Sequence, residues 1–181
     1  AMQEWRLSAE QGDMHSQAMM GLAYLEGKAV PLDYKETVKW YRLAAEQGLA
    51  VSQHDLGLMY DKGQGVPQND KEAVKWYRLA AEQGLAEAQN DLGLMYDEGA
   101  GVTRNFKEAM KWYRLAAQQG YSSAQFNLGA MYTAGNGVSQ SYKEALKWFR
   151  LAAEQGHSGA QFNLGVFYFN GQGVPRDFNQ A

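Results

Sequence analysis

The chain contains no cysteine in its 181 residues. This absence excludes a disulfide framework and metal sites built from thiolates, while it leaves the cellular compartment open. Basic residues are also few, since 17 lysines and arginines against 20 aspartates and glutamates give a net charge of −3. Nucleic acids and anionic membranes are bound through basic surfaces, so we expect neither as a partner.

Long apolar runs are missing as well. A helix that spans a bilayer needs about 20 mostly apolar residues, and the chain holds no run of that kind. We therefore expect no membrane insertion. Hydrophobic residues make up 45% of the chain and charged residues 20%, which is ordinary for a packed protein.

The dominant feature of the chain is a repeat with a period of 36 residues. The segment at 40–48, Trp-Tyr-Arg-Leu-Ala-Ala-Glu-Gln-Gly, returns at 76–84 and, with one substitution each, at 112–120 and 148–156. A period of this length predicts a stack of identical supersecondary units rather than a closed globular domain. Such a stack offers an extended surface for another molecule rather than a cleft for chemistry.

The first half of each repeat predicts a helix. In the repeat at 50–84, Gln53, Leu56 and Tyr60 recur at spacings of three and four residues, which is typical of one helical face. Gly63 and Gly65 then end the helix. Because Gly57 stands inside the helix, where glycine costs about 1 kcal/mol against alanine, we expect a close helix-to-helix approach there.

The second half of the repeat predicts another helix with a defined start. Asn69 and Glu72 form a capping box, in which each side chain accepts a hydrogen bond from the other residue's backbone N–H. Glycine at position 84 ends this helix, and Trp76 and Tyr77 lie on its core face. Equivalent capping pairs are Asp33 with Glu36, Asn105 with Glu108, Ser141 with Glu144 and Asp177 with Gln180.

A recurring glutamine marks the joint between repeats. Gln53 has counterparts at Gln17, Gln89, Gln125 and Gln161. Buried amides are hydrogen-bonded in folded proteins, so we expect these side chains to bind nearby backbone and hold neighbouring repeats together.

These patterns predict an all-α, single array over residues 1–181. It comprises a partial repeat at 1–12, full helix pairs at 14–48, 50–84, 86–120 and 122–156, and a partial repeat at 158–181. Both ends cut the repeat, so we expect the chain to be a fragment of a longer protein.

The repeat resembles a known family. The pattern Ala-x-Ser/Ala-Gln-x-x-Leu-Gly-x-x-Tyr, then Gly-x-Gly-Val-Pro, then Lys-Glu-Ala-x-Lys-Trp-Tyr-Arg-Leu-Ala-Ala-Glu-Gln-Gly is similar to the Sel-1-like repeat, a relative of the tetratricopeptide repeat. The resemblance implies a right-handed α/α superhelical solenoid whose first helices line a concave groove. It also implies a bacterial adaptor or scaffold, with the periplasm or secretion slightly favoured over the cytoplasm. The family's cysteine-rich subgroup has a disulfide in each repeat, and this chain departs from it.

The candidate groove residues follow from helix geometry, because they lie opposite the core stripe of each first helix. They are Asp55, Leu58 and Lys62; Asp91, Leu94 and Glu98; Asn127 and Ala130; and Asn163 and Val166; with Met19, Leu22 and Glu26 in the first repeat, Ala134 in the fourth and Asn170 in the last. A polar row beside an aliphatic row suits an extended peptide, whose backbone and side chains need both. The acidic bias of the middle repeats favours a partner segment with positive charge.

The sequence motifs that other kinds of site require are incomplete in this chain. Gly63-Gln64-Gly65 follows a helix rather than a strand and lacks the third glycine of a dinucleotide loop. The stretch 61–72 has the length of a calcium loop but too few oxygen ligands. The three histidines lie in different repeats without zinc spacing, and no serine-nucleophile motif occurs. We therefore expect no enzyme, and no catalytic, cofactor-binding or metal-binding residue.

Three functions remain open. The first is a protein–protein interaction scaffold that binds a partner peptide or protein segment in the groove. The second is a protein of the cell envelope that binds glycan or peptidoglycan, or a weak hydrolase. The third is a structural spacer that self-assembles end to end.

Overall fold

The computed structural model describes residues 2–176, and within that range it contains ten α-helices and no strand. The helices are α1 (Met2–Glu10), α2 (Met14–Glu26), α3 (Tyr34–Glu46), α4 (Ala50–Lys62), α5 (Asp70–Glu82), α6 (Ala86–Glu98), α7 (Phe106–Gln118), α8 (Ser122–Ala134), α9 (Tyr142–Glu154) and α10 (Ser158–Asn170). The predicted all-α fold of helix-turn-helix repeats is confirmed. The capping pair Asp177 and Gln180 lies outside the described residues.

The helices fall into two compact units. The first comprises Ala1–Ala88 with Ala100–Val102, and the second comprises Gln89–Gly99 with Thr103–Ala181. In the first unit α1 packs on α2, α2 on α3, α3 on α4 and α4 on α5, and in the second α7 packs on α8, α8 on α9 and α9 on α10. Each of these helices therefore packs on its neighbours in sequence, as repeat proteins do.

The start of each second helix is capped by one of the two hydrogen bonds of a capping box, the one that the cap side chain accepts. The Asn69 side chain accepts a hydrogen bond from the Glu72 N–H at 3.2 Å. The return bond is a wrong prediction, because the Asn69 N–H donates to the Tyr60 carbonyl at 2.9 Å and the Glu72 carboxylate lies 3.6 Å from the Lys75 ammonium. The cap residue thus ties the second helix of the repeat to the first. The N–H groups of Asp33, Asn105 and Ser141 likewise donate to the carbonyls of Tyr24, Tyr96 and Tyr132.

The glycines between the two helices of a repeat are structural. Gly63 and Gly65 have φ of 64° and 72°, values that only glycine adopts without strain. A Cβ on Gly65 would also collide with the backbone carbonyl of Tyr34 in the preceding repeat. The Gly-x-Gly turn therefore rests on the start of the previous second helix, which explains the motif without a bound phosphate.

The core follows the second helices as predicted. Tyr77 is 1% exposed, and Ala73, Trp76 and Ala80 are also buried. The buried cluster around Trp76 includes Leu56 and Met59 of α4. Methionine at this position was not assigned by the sequence pattern, yet Met20, Met59, Met95 and Met131 are all buried.

A glycine-on-ring contact sets the distance between the two helices of a repeat. A Cβ on Gly57 would lie 2.6 Å from the Cδ1 and Cε1 atoms of Tyr77, far inside van der Waals contact. Equivalent contacts join Gly21 to Tyr41, Gly93 to Tyr113 and Gly129 to Phe149. The predicted close approach is confirmed, and its partner is a ring face.

The repeated glutamines form the predicted joint. The Gln53 Nε2 donates to the Ala45 carbonyl of the previous second helix at 3.1 Å. The Oε1 of Gln53 accepts from Gln83 Nε2 at 2.7 Å, and the same nitrogen donates to the Gly48 carbonyl at 3.0 Å. Two amides thus link three helices, and the same side-chain pair recurs as Gln17 with Gln47, Gln89 with Gln119 and Gln125 with Gln155.

Replacing Gly57 with alanine should destabilise the fold. Alanine gains about 1 kcal/mol of helix propensity, but the buried Tyr77 ring has no room to yield, so overpacking should outweigh the gain and lower stability by about 2 kcal/mol. Urea unfolding followed by circular dichroism measures this difference. The matched control is Val51→Ala on the same helix, where the side chain is 53% exposed and the change should stay within about 0.5 kcal/mol. A Gly57→Ala variant as stable as the parent would contradict the ring contact.

Candidate partner-binding face

The face formed by the candidate groove residues of the first helices, here called the first-helix face, is accessible in both units. In the first unit Asp55 and Leu58 are half-buried and Lys62 is exposed. In the second unit Leu94 and Glu98 are exposed, and the half-buried residues are Asp91, Asn127, Ala130, Asn163 and Val166. None of the candidate residues is part of the buried core.

An apolar depression of about 280 Å³ interrupts this face in the second unit. Its wall on α8 includes Ala130 and Thr133, and its wall on α10 includes Asn163 and Val166. The Phe149 ring, which occupies the tyrosine position of the preceding repeats, also lines it. The structure therefore brings four of the candidate residues (Ala130, Ala134, Asn163 and Val166), from two first helices, around one hollow.

A smaller hollow lies on the equivalent face of the first unit. Met19, Leu22 and Glu26 line a depression of about 140 Å³ together with Trp5 and Lys28. Both hollows have aliphatic and polar walls, as expected for a surface that holds side chains of another molecule.

The polar row is joined by hydrogen bonds between neighbouring first helices. Asn127 Nδ2 of α8 donates to Asn90 Oδ1 of α6 at 3.0 Å, and Asn90 Nδ2 donates to Asp91 Oδ1 at 3.1 Å. Asn90 was missed by the sequence analysis. Its position holds an alanine, a histidine or a phenylalanine in the other repeats, so the repeat pattern carried no signal for it.

The carboxylate of Asp55 is held in an unfavourable environment. Its side chain is 30% exposed, and the His54 Nδ1 lies 3.8 Å from its Oδ1. Burial raises the pKa of Asp55 above its ordinary value, and His54 opposes this rise. Burial also raises the pKa of Tyr41, and the nearby carboxylates of Asp55 and Glu26 raise it further. The tyrosine hydroxyl at the edge of the core therefore lies near carboxylates of the first-helix face.

Tyr113 repeats this arrangement in the second unit. The residue is 1% exposed, and its hydroxyl has no hydrogen-bond partner. Burial raises the pKa of Tyr113, and the carboxylates of Asp97, Glu98 and Asp91 raise it further. The sequence analysis assigned this position to the core alone. That assignment holds for the ring, whereas the hydroxyl at its far end is near the acidic side chains of the face.

His157 has a structural role at the start of α10. The His157 Nδ1 caps α10 by accepting from the Ala160 N–H at 3.3 Å, and its ring stacks on Phe126 at 4.6 Å between centroids. Within residues 2–176, no group of three or more histidine, aspartate or glutamate side chains is arranged to hold a metal ion. No helix in the same range has the length and hydropathy needed to cross a membrane.

Comparison with solved structures finds proteins with the same fold. c5321, a protective antigen of uropathogenic Escherichia coli strains that displays an SLR fold, is 42% identical with a TM-score of 0.95 over 99% of this chain and 38% of its own. A Sel1 repeat protein from Oxalobacter formigenes is 40% identical with a TM-score of 0.90 over 94% of this chain and 68% of its own. The Helicobacter pylori cysteine rich protein B is 25% identical with a TM-score of 0.58 over 76% of this chain and 99% of its own.

Comparison with protein families identifies the repeat directly. The model of the Sel1 repeat matches residues 15–49, 50–85, 86–121, 122–157 and 158–181. A comparison with the curated proteins gives no match. Sel1 repeat proteins are generally non-enzymatic scaffolds for protein–protein interaction. Because the family model covers nearly the whole described chain, this chain belongs to the Sel1 repeat family.

Proposed function

We propose that the chain is a non-enzymatic scaffold that binds an extended segment of a partner protein in a groove along the first-helix face. The binding residues are Asp55, Leu58 and Lys62 in the first unit and Asp91, Leu94, Glu98, Asn127, Ala130, Asn163 and Val166 in the second. The observation that carries this proposal is the apolar depression between α8 and α10, which is lined by three of these residues and has an asparagine at its rim.

The polar and apolar groups of this face suit an extended peptide. Its backbone N–H and C=O groups need polar partners, and its alternate side chains need shallow apolar hollows. Asp91, Asn127 and Asn163 recur at the same helical position in successive repeats, so they supply a row of donors and acceptors. Leu94, Ala130 and Val166 form the aliphatic row beside it.

The half-buried carboxylates support a binding role. Burial of Asp55 and Asp97 raises the pKa of both groups, which means that their charged forms are less favourable in the folded chain than in water. Ionisable groups in such environments concentrate at functional sites. A partner that supplies a positive group or hydrogen-bond donors would offset this unfavourable burial.

The burial of Asp55 has a testable consequence for stability. Because the pKa of Asp55 is raised in the folded state, its protonated form is favoured by folding. The resulting contribution to folding stability is fully present below the pKa of the unfolded chain and is lost as the pH rises through the folded pKa. Asp55→Asn should therefore melt at a higher temperature than the parent at pH 7, and the difference should vanish near pH 3. Calorimetry at both pH values measures this. A variant that melts at or below the parent temperature at pH 7 would contradict an unfavourable carboxylate.

The proposed groove is tested by affinity capture with variants of the face. The parent chain should capture a defined protein from bacterial envelope or soluble fractions. The amount of this protein captured should fall at least tenfold with each of the double variants Asp55→Ala/Leu58→Ala and Asp91→Ala/Leu94→Ala, since a few contact residues carry most binding energy. Quantitative mass spectrometry of the captured material provides the measurement.

The control for this capture lies on the second helices. Lys75 and Lys111 each have 58% exposed side chains on α5 and α7, and Lys75→Ala/Lys111→Ala should capture as much as the parent. Equal capture by the face variants, or loss only in the lysine variant, would place binding on the second-helix side and overturn the groove.

End-to-end self-association is a second candidate, which one observation favours. Phe162 of α10 is 72% exposed and lines a depression of about 380 Å³ together with Gly165 and Val166. An exposed apolar patch of this kind supports self-association through α10. Light scattering should show a particle mass that grows with concentration, and Phe162→Asp should suppress the growth. A constant mass in the parent would exclude self-assembly through this patch.

A further inference from the structure

Helices α1 and α10 each hold one half of the contact that joins the two helices of a repeat. By its sequence α1 is a second helix, since Trp5 stands 36 residues before Tyr41, at the ring position. α10 is a first helix, and its Gly165 stands 36 residues after Gly129, which meets the Phe149 ring. In the part of the chain that the structure describes, no first helix precedes α1 and no second helix follows α10.

The apolar surfaces of both helices are open. The side chains at the ring position of the other repeats are at most 2% exposed: Tyr41, Tyr77, Tyr113 and Phe149. Trp5 is instead half-buried and lines a hollow beside α2. Gly165 is half-buried as well, and it lines an apolar hollow of about 380 Å³ with Phe162. One repeat earlier the counterpart of Phe162 is Phe126, whose ring centroid lies 5.7 Å from that of the ring-position residue. Phe162 and Gly165 therefore present the two surfaces that contact a ring inside a repeat.

The glutamine joint is also divided between these helices. Inside the array a first-helix glutamine accepts from the second-helix glutamine 30 residues later, as Gln125 does from Gln155 at 2.8 Å. Gln161 is the next first-helix glutamine, and its Nε2 donates to the Ala153 carbonyl at 3.4 Å. Gln11 fills the second-helix position just after α1. Both residues are exposed, so the Gln161 Oε1 and the Gln11 Nε2 are the acceptor and the donor of one more pair.

A second hollow lies on α9, where the tryptophan of a following second helix would pack. Inside the array Val66 packs against the buried cluster that contains Trp76. Its counterpart three periods later, Val174, lines a hollow of about 470 Å³. Glu4 stands at the tryptophan position of α1, and the basic side chains around this hollow outnumber the acidic ones: Lys143, Lys147 and Arg150 against Glu144 and Glu154. The hollow therefore tolerates the Glu4 carboxylate and has room for an indole.

The spacing of these groups favours α1 itself as the occupant. Trp5 and Gln11 are six residues apart, as the ring and the glutamine are in every internal second helix. Gln161 and Gly165 are four residues apart, as in every internal first helix. An unrelated helix would need the same aromatic residue and the same amide in the same register to make both contacts.

We propose that α1 of a second copy of this chain docks on α9 and α10 in the position of a following second helix, with Trp5 against Gly165 and Phe162 and with Gln11 hydrogen-bonded to Gln161. The contact is heterologous because two different surfaces meet, so each added copy leaves one surface of each kind for another copy. This inference rests on the second candidate function, self-association through α10, and names the surface that α10 meets.

The test mixes two variants that each lack one surface. Trp5→Ala removes the ring of α1 and leaves α10 intact, whereas Phe162→Asp spoils the hollow on α10 and leaves α1 intact. Light scattering over a range of concentrations should show that each variant alone keeps the mass of one chain. An equimolar mixture should reach twice that mass and no more, because only one productive contact can form. The matched control Gln3→Ala changes an exposed position of α1 and should associate as the parent does.

The outcomes separate this contact from self-association in general. If Trp5→Ala alone gains mass with concentration as the parent does, α10 meets a surface other than α1, and the docking of α1 is overturned while self-association stands. A mixture that keeps the mass of one chain would also overturn the docking of α1. A parent whose mass stays constant would overturn both proposals.

A gain of affinity tests the position of α1 over α9 without removing any contact. Glu4→Trp restores the tryptophan of the other second helices, which should fill the hollow beside Val174 and lower the dissociation constant of self-association about tenfold. The same change combined with Phe162→Asp should show no gain, which excludes association through the new indole alone. Unchanged or weaker association of Glu4→Trp would contradict the placement of α1 on α9.

Discussion

The contact between an internal glycine and an aromatic ring governs both the fold and the face. Because Gly57 has no side chain, the Tyr77 ring lies directly against α4, and the two helices of the repeat approach at that point. The ring buries apolar surface, which is the main source of stability for helices this short. The same geometry carries the hydroxyl to the edge of the core, where Asp61 accepts its hydrogen bond. Packing thus determines where a polar atom reaches the first-helix face.

The contacts that stabilise the stack and the residues of the proposed groove lie at different positions of the repeat. The glutamine pairs recur without variation, and their hydrogen bonds link second helices to the repeat beside them. The positions on the first-helix face vary in charge from one repeat to the next. A uniform frame with a variable face allows the pattern of charge to change without loss of the stack, because each repeat contacts only its neighbours.

The carboxylates of the first-helix face are less favourable for folding than the contacts that hold the stack together. Burial of Asp55 and Asp97 disfavours their charged forms and raises the pKa of both groups, while His54 and Arg104 respectively oppose this rise. Under the proposed function, a positively charged partner would restore the interactions that burial removed. The unpartnered hydroxyl of Tyr113 has the same character, since the folded chain alone leaves it unsatisfied.

Much of the architecture was readable from the sequence. The period of 36 residues, the glycine at position 57 and the glutamine at position 53 predicted the helix pairs, the close approach and the joint, because each reflects local geometry that repeats along the chain. The capping box was half wrong, since the Asn69 N–H is used by the Tyr60 carbonyl, a partner from another helix. What the sequence determined alone was therefore the repeat, its helices and its core stripe. Only the tertiary structure decided that Asn90 would meet Asn127 and that the Tyr113 hydroxyl would lie unsatisfied among carboxylates, because these depend on how side chains from separate helices meet.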